Sequence, residues 1–162
     1  MQTPDPDDAG FIVPPGTTPT IHGPVGGPMQ LVLHGSRTGG RFSALENVVG
    51  PGQGPPLHSH DAQDEAWFVL EGTLRFRIGD DVNDAPRGSW AFVPRGTPHC
   101  FQNIGEAPAR IAVMFTPSGM EPFFEAFADL APDEAGPDAF QRLGEPVGMR
   151  IHGPQLAVSH PR

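Results

Sequence analysis

The chain contains no lysine, no tyrosine and a single cysteine. Without lysine there is no Schiff-base catalysis and no anchor for a pyridoxal cofactor. Without tyrosine there is no phenolic acid or base. The lone Cys100 rules out a disulfide within the chain, a CxxC redox pair and an all-cysteine zinc site. Cations are scarce as well: ten arginines stand against 19 aspartates and glutamates, for a net charge of -9. Phosphate groups are bound by clustered cations, so neither nucleic acid nor an anionic membrane surface is expected as a partner. Long apolar runs are also missing. The longest, Ile111 to Phe115, is far short of a membrane span. The N-terminus is acidic and lacks an apolar h-region, so no secretory signal is read and a cytoplasmic location is expected.

What remains is a chain of 162 residues, suited to one domain, whose 37% hydrophobic content is enough for one core. Glycine and proline number 21 each, and they separate short β-branched and aromatic runs as turn punctuation does. Strands are predicted at Met29–His34, Phe42–Val49, Glu65–Leu70, Thr73–Ile78, Ser89–Val93, His99–Asn103 and Ala109–Thr116. Phe11-Ile12-Val13 offers one further short strand. Glu71-Gly72 reads as a tight hairpin between two of the strands. Short strands at this spacing predict an all-β sandwich or barrel. Helix is predicted only near the end. Pro122 suits a first helical position, and Phe123, Phe124, Phe127 and Leu130 form an apolar stripe that packs on a sheet. A second short helix is predicted from Pro137 to just before Gly144.

The chemistry is concentrated in two segments. In an extended strand His58 and His60 point to one side, and Pro55-Pro56 stiffens the approach to them. Glu65 follows after a gap long enough for a turn and a return strand. His99 stands at the head of a strand after Pro94-Arg95-Gly96-Thr97-Pro98. Three imidazoles and a carboxylate make a nitrogen-rich donor set for one divalent transition metal (Fe, Mn, Ni, Co, Cu or Zn), unlike an all-oxygen calcium or magnesium site. Four protein donors leave a position open for substrate on a five- or six-coordinate ion. Trp67 and Phe101 share strand parity with Glu65 and His99, so both are candidate walls of a substrate pocket. Glu46 is a candidate at the edge of the same pocket, and Cys100, of opposite parity, points away.

These residues carry a resemblance. Gly52, His58, His60, Glu65 and Gly72 meet G(X)5HXH(X)4E(X)6G, and Gly88, Pro94, Gly96, His99 and Asn103 meet G(X)5PXG(X)2H(X)3N. The chain thus resembles the cupin superfamily, with both motifs complete. The resemblance implies an all-β double-stranded β-helix (jelly-roll) barrel over residues 29–118, an N-terminal arm over 1–28 and a C-terminal helical segment and tail over 119–162. It implies metal ligation by His58, His60, Glu65 and His99, and a homodimer that covers an edge strand. The stretches from Gly52 to His60, from Asp64 to Gly72 and from Phe92 to His99, with the Phe123-Phe124 helix, are similar to bacterial single-domain cupins of the quercetin 2,3-dioxygenase type. That similarity implies dioxygenase-type chemistry on a flavonol-like or polyketide-like aromatic small molecule, with the metal as Lewis acid and Glu65 as base. Two other readings stand beside it: a metal-dependent isomerase, cyclase or lyase that does not use oxygen, and a non-catalytic ligand- or metal-binding module. Cupin epimerases that pair His with Tyr, and thiol dioxygenases with a Cys–Tyr crosslink, are excluded because there is no tyrosine.

Overall fold

The computed structural model describes residues 9–136 and 138–160. The acidic tail at Asp5, Asp7 and Asp8 and the helix start read at Pro137 lie outside them. Two antiparallel sheets face each other across one core. The first runs β1 (Ile21–His22), β2 (Pro28–Leu33), β3 (Ser43–Val49), β10 (Ala109–Thr116), β5 (Asp64–Glu71) and β8 (Trp90–Val93) in spatial order. The second runs β11 (Met149–Gln155), β4 (Pro56–His60), β9 (His99–Asn103), β6 (Thr73–Ile78) and β7 (Asp81–Pro86). Three helices follow the main strands: α1 (Glu121–Ala128), α2 (Ala139–Gly144) and α3 (Leu156–Ser159). This is the all-β jelly roll with short C-terminal helices, built as two facing sheets.

The strands follow from period-two burial. In β5 the side chains of Glu65, Trp67 and Val69 are buried, while Ala66, Phe68 and Leu70 between them are only partly covered. In β10 Ala109, Ile111, Val113 and Phe115 are buried and the residues between them are not. Register against both neighbours then sets one continuous inner face: Val113 lies opposite Leu45 on β3 and opposite Trp67 on β5.

Several local readings need correction. Glu71-Gly72 is not a hairpin, because β5 pairs with β10 and β8 whereas β6 pairs with β9 and β7. The chain changes sheets there, and Gly72 takes φ +85 with Ala109 Cβ only 2.8 Å from where a side chain would begin. Phe11-Ile12-Val13 forms no strand; the Phe11 ring lies under the Arg37 guanidinium at 4.0 Å. The segment read as an arm over residues 1–28 supplies β1 and the buried Val25. The C-terminal segment is more than helical, since its β11 pairs with β4 along the metal-motif strand. Two strands escaped the sequence because they lack alternation: β7 is almost wholly exposed, held by its ladder to β6 and by the Arg75–Asp84 ion pair, and β11 carries Gly and Pro at an edge.

α1 begins at Glu121 with Pro122 in its first turn, as the sequence indicates. Its aromatic stripe meets α2 through Phe140, whose ring centroid lies 5.7 Å from Phe123 and 5.5 Å from Phe127. Glu121 itself is buried and pins the helix start. Its Oε1 accepts from Gly35 N at 2.7 Å and its Oε2 from Gly119 N at 2.7 Å. No helix among the described residues is long and apolar enough to cross a membrane.

Candidate metal centre

β4 places His58 and His60 on one side while Ser59 turns outward to His152 Nε2 at 2.8 Å. β9 lies beside β4 with His99 directly opposite His58. β5 brings Glu65 across from the other sheet. The four side chains are all buried, and one ligand atom from each lies within 4.8 Å of every other. Two long-range anchors set this convergence. Gly96 N donates to His60 O at 2.8 Å, tying the turn before His99 to β4. The Asp64 carboxylate accepts from Arg95 N at 2.9 Å and from its guanidinium, clamping the same turn to β5.

The hydrogen bonds orient the rings for ligation. His58 Nδ1 lies 2.8 Å from Pro56 O, and His99 Nδ1 lies 2.8 Å from Thr97 O. A carbonyl can only accept, so each Nδ1 carries a proton and donates, which aims each Nε2 into the site. Burial, with the neighbouring His99 and His60, holds the His58 imidazole well below its ordinary pKa, so it is neutral. Glu65 Oε2 lies 3.0 Å from both His60 Nε2 and His99 Nε2. Burial pushes the Glu65 carboxyl up, but the two imidazoles outweigh it and hold the group at about 2. His60 stands within ion-pair distance yet outside hydrogen-bond geometry, so neither of its ring nitrogens has a hydrogen-bond partner. Three imidazoles and a carboxylate converge here out of water, and the buried nitrogens of His60 have no hydrogen-bond partner, so a cation among them would satisfy groups that are costly to bury. The donor set therefore fits one divalent transition ion bound by His58, His60, Glu65 and His99.

Beyond the cluster is a narrow hollow of about 50 Å³. Trp67 and Phe101 line it, as do Leu45, Ile111, Val113 and Phe115 from the first sheet. Trp67 also packs edge-on against His99 at 5.4 Å, and Phe115 against His60 at 5.5 Å. The hollow's remaining polar groups are Asn47 and Trp67, whose Oδ1 and Nε1 are buried without a partner. Glu46 is not part of it. As the neighbour of inward-facing Leu45 and Asn47 it points outward, where its carboxylate meets Arg110 at 3.3 Å. Sequence reasoning missed Asn47, Met120 and the role of the aromatic helix as a roof: Phe123, Phe124 and Phe140 pack on the sheet and also close the hollow. The signal for the roof was present, in the density of phenylalanine beside the motif domain, but parity alone did not say what the stripe would cover. Asn103 is structural, its amide donating to Val49 O at 2.9 Å and Ala107 O at 2.8 Å. Cys100 faces away, and burial raises its thiol to about 11.

The jelly roll brings three histidines and a glutamate together at its centre, and the stretch that carries them has a recognisable family likeness. Residues 46–115 match the cupin domain family. Among curated proteins, the tetracenomycin polyketide synthase protein TcmJ of Streptomyces glaucescens is 29% identical over 98 residues, which cover 60% of this chain and 66% of that protein. Among solved structures, an RmlC-like cupin from Shewanella frigidimarina superposes with a TM-score of 0.60 at 15% identity, covering 70% of this chain and 96% of that one. A sugar phosphate isomerase of the cupin superfamily from Silicibacter pomeroyi superposes with a TM-score of 0.58 at 23% identity, covering 67% and 77% of the two chains. At these identities the structural likenesses define the fold alone. The matched segment spans 58% and 66% of the lengths of the first curated relatives.

Proposed function

We propose that this protein is a metal-dependent enzyme acting on an enolisable or phenolic aromatic molecule of polyketide or flavonol type, with oxidation by dioxygen as its leading chemistry. One observation carries the reading: the His58, His60, Glu65 and His99 cluster opens onto a hollow whose other walls, apart from Asn47, are apolar and aromatic and include no arginine. A phosphorylated sugar, the kind of substrate named for the Silicibacter relative, would find no basic side chain beside the metal to hold its phosphate. A flat ring suits these walls. The likeness to a polyketide synthase protein points to the same substrate class.

A bound transition ion would supply Lewis acidity toward an enol or phenol oxygen, together with a means of engaging dioxygen. The protein's own groups do the rest. Pro56 O and Thr97 O fix the rings of His58 and His99. Glu65, at about 2, is fully ionised at neutral pH and is the one carboxylate in the hollow able to take the hydroxyl proton. Phe115, Phe123 and Phe124 keep water from the reacting end.

The test is an oxygen-electrode assay of the metal-reconstituted protein with a panel of flavonols and hydroxylated polyketide-type aromatics. Oxygen uptake matching substrate loss is the expected result. Substrate conversion without oxygen would replace this reading with an isomerase, cyclase or lyase, which the polyketide synthase likeness also accommodates. No conversion of any kind would leave a binding module.

A further inference from the structure

The inner hollow, about 50 Å³, has room for a few water molecules. Ligands of several rings occupy sites of roughly 300 Å³ or more. The molecule holds that volume next door. A groove of about 590 Å³ lies between the loop after β1, the strand β11 and the C-terminal helices. Hollow and groove share two walls, Pro24 and Phe140. Phe140 is the partition. It belongs to the aromatic cluster that roofs the hollow through Phe123 and edges the groove through Phe127. The groove's described walls combine Ile151, Val158 and Phe127 with the polar groups of His22, Gln53 and Gln155, and they contain no Asp, Glu or Arg.

We infer that the groove is the outer half of the substrate site, and that Phe140 sets the length of molecule admitted. This rests on the function proposed above. The hydroxylated end of the ligand reaches past Phe140 to Glu65, and the remaining rings lie along the groove. The occupant is an elongated, uncharged, fused-ring aromatic with hydroxyl or carbonyl oxygens along its edges. A phosphorylated molecule would find no arginine in the walls of either compartment. The Phe140 ring turns aside, or α2 shifts, when a molecule of more than one ring enters, because the hollow alone cannot hold it.

Two probes that share a vicinal diol test this by calorimetry and stopped-flow binding to the metal-reconstituted protein. Catechol, with one ring, reads the inner hollow; alizarin, with three fused rings, reads hollow and groove together. Alizarin should bind at least tenfold more tightly than catechol. Val158→Glu, at a residue 68% exposed on the groove wall, should weaken alizarin at least fivefold and leave catechol within twofold. Phe140→Ala should speed alizarin association severalfold and by more than it changes that of catechol, and Phe140→Leu reads the same gate if the alanine variant does not fold. Equal effects on both probes, no effect on either, or no binding of either to the wild type would overturn the inference. The two proposals fail separately. Absence of oxygen uptake sinks the dioxygenase reading while an alizarin preference sensitive to Val158→Glu survives; loss of that preference sinks the groove while oxygen uptake stands.

Discussion

Glu65 Oε2 stands 3.0 Å from His99 Nε2, while the far nitrogen of the same ring is committed to Thr97 O at 2.8 Å. The imidazole is therefore fixed with its Nε2 facing a carboxylate in a buried site, so the two atoms are placed to bind one cation together.

Removal of one imidazole breaks the donor set across the two sheets. His99→Ala or His58→Ala should lose metal affinity by more than the 10–100-fold that loss of an outer hydrogen-bond partner typically costs. Elemental analysis after dialysis should find the wild type near one ion per chain and the variants near none. The melting temperature should rise with added metal in the wild type alone. A variant that retains full metal content and full turnover would refute the assignment.

Glu65→Gln preserves shape and one oxygen donor but removes the base. Most of the metal should remain, and turnover of any substrate found should fall by about 10²–10⁴-fold. Unchanged turnover would remove Glu65 from the proton transfer.

Glu121 gives a pH-dependent prediction away from the metal. Burial pushes its carboxyl up, but its own backbone N–H and those of Gly119 and Gly35 prevail and hold it below the ordinary 4.5. A carboxylate depressed in the folded state stabilises above its unfolded value and loses that contribution as pH falls through the folded one. Glu121→Gln should therefore cost about 1–3 kcal/mol at neutral pH. The gap between wild type and variant in urea melts should close progressively below about pH 4.5. A gap that does not change with pH would show that the charge is irrelevant to the latch.

The outer face of the first sheet ends in an exposed apolar patch on the edge strand β8. Trp90 is 67% and Phe92 60% exposed, with Met114 beside them at 40%. Such a patch next to unpaired strand backbone is the feature a second copy would cover. Light scattering should give twice the 17.3 kDa chain mass. Trp90→Glu should shift it toward one. A wild type that runs as a monomer at all concentrations would dismiss the dimer.

Much of the centre was legible in the chain. His58-x-His60 shares a face because a strand repeats every two residues, and the fixed spacings to Glu65 and from Gly96 to His99 mark turns whose lengths are set locally. The same parity rule named Trp67 and Phe101 as inward and Cys100 as outward. It gave no direction for Glu46, one residue out of phase with Leu45 and Asn47, because parity there was not anchored to any motif. The hairpin reading failed at Glu71-Gly72, since a turn signal states that the chain bends but not which sheet it joins next.

Local chemistry by itself determined most of the strands, many of the turns and the four candidate metal donors, because each depends on residues a few positions apart. Only the tertiary structure decided that β11 would close against β4, that Phe140 would divide a small hollow from a large groove, and that Asn47 would face the metal side. Those outcomes depend on contacts between residues up to about a hundred positions apart. Such contacts are settled by how apolar faces fill one shared core, which no short stretch of sequence encodes.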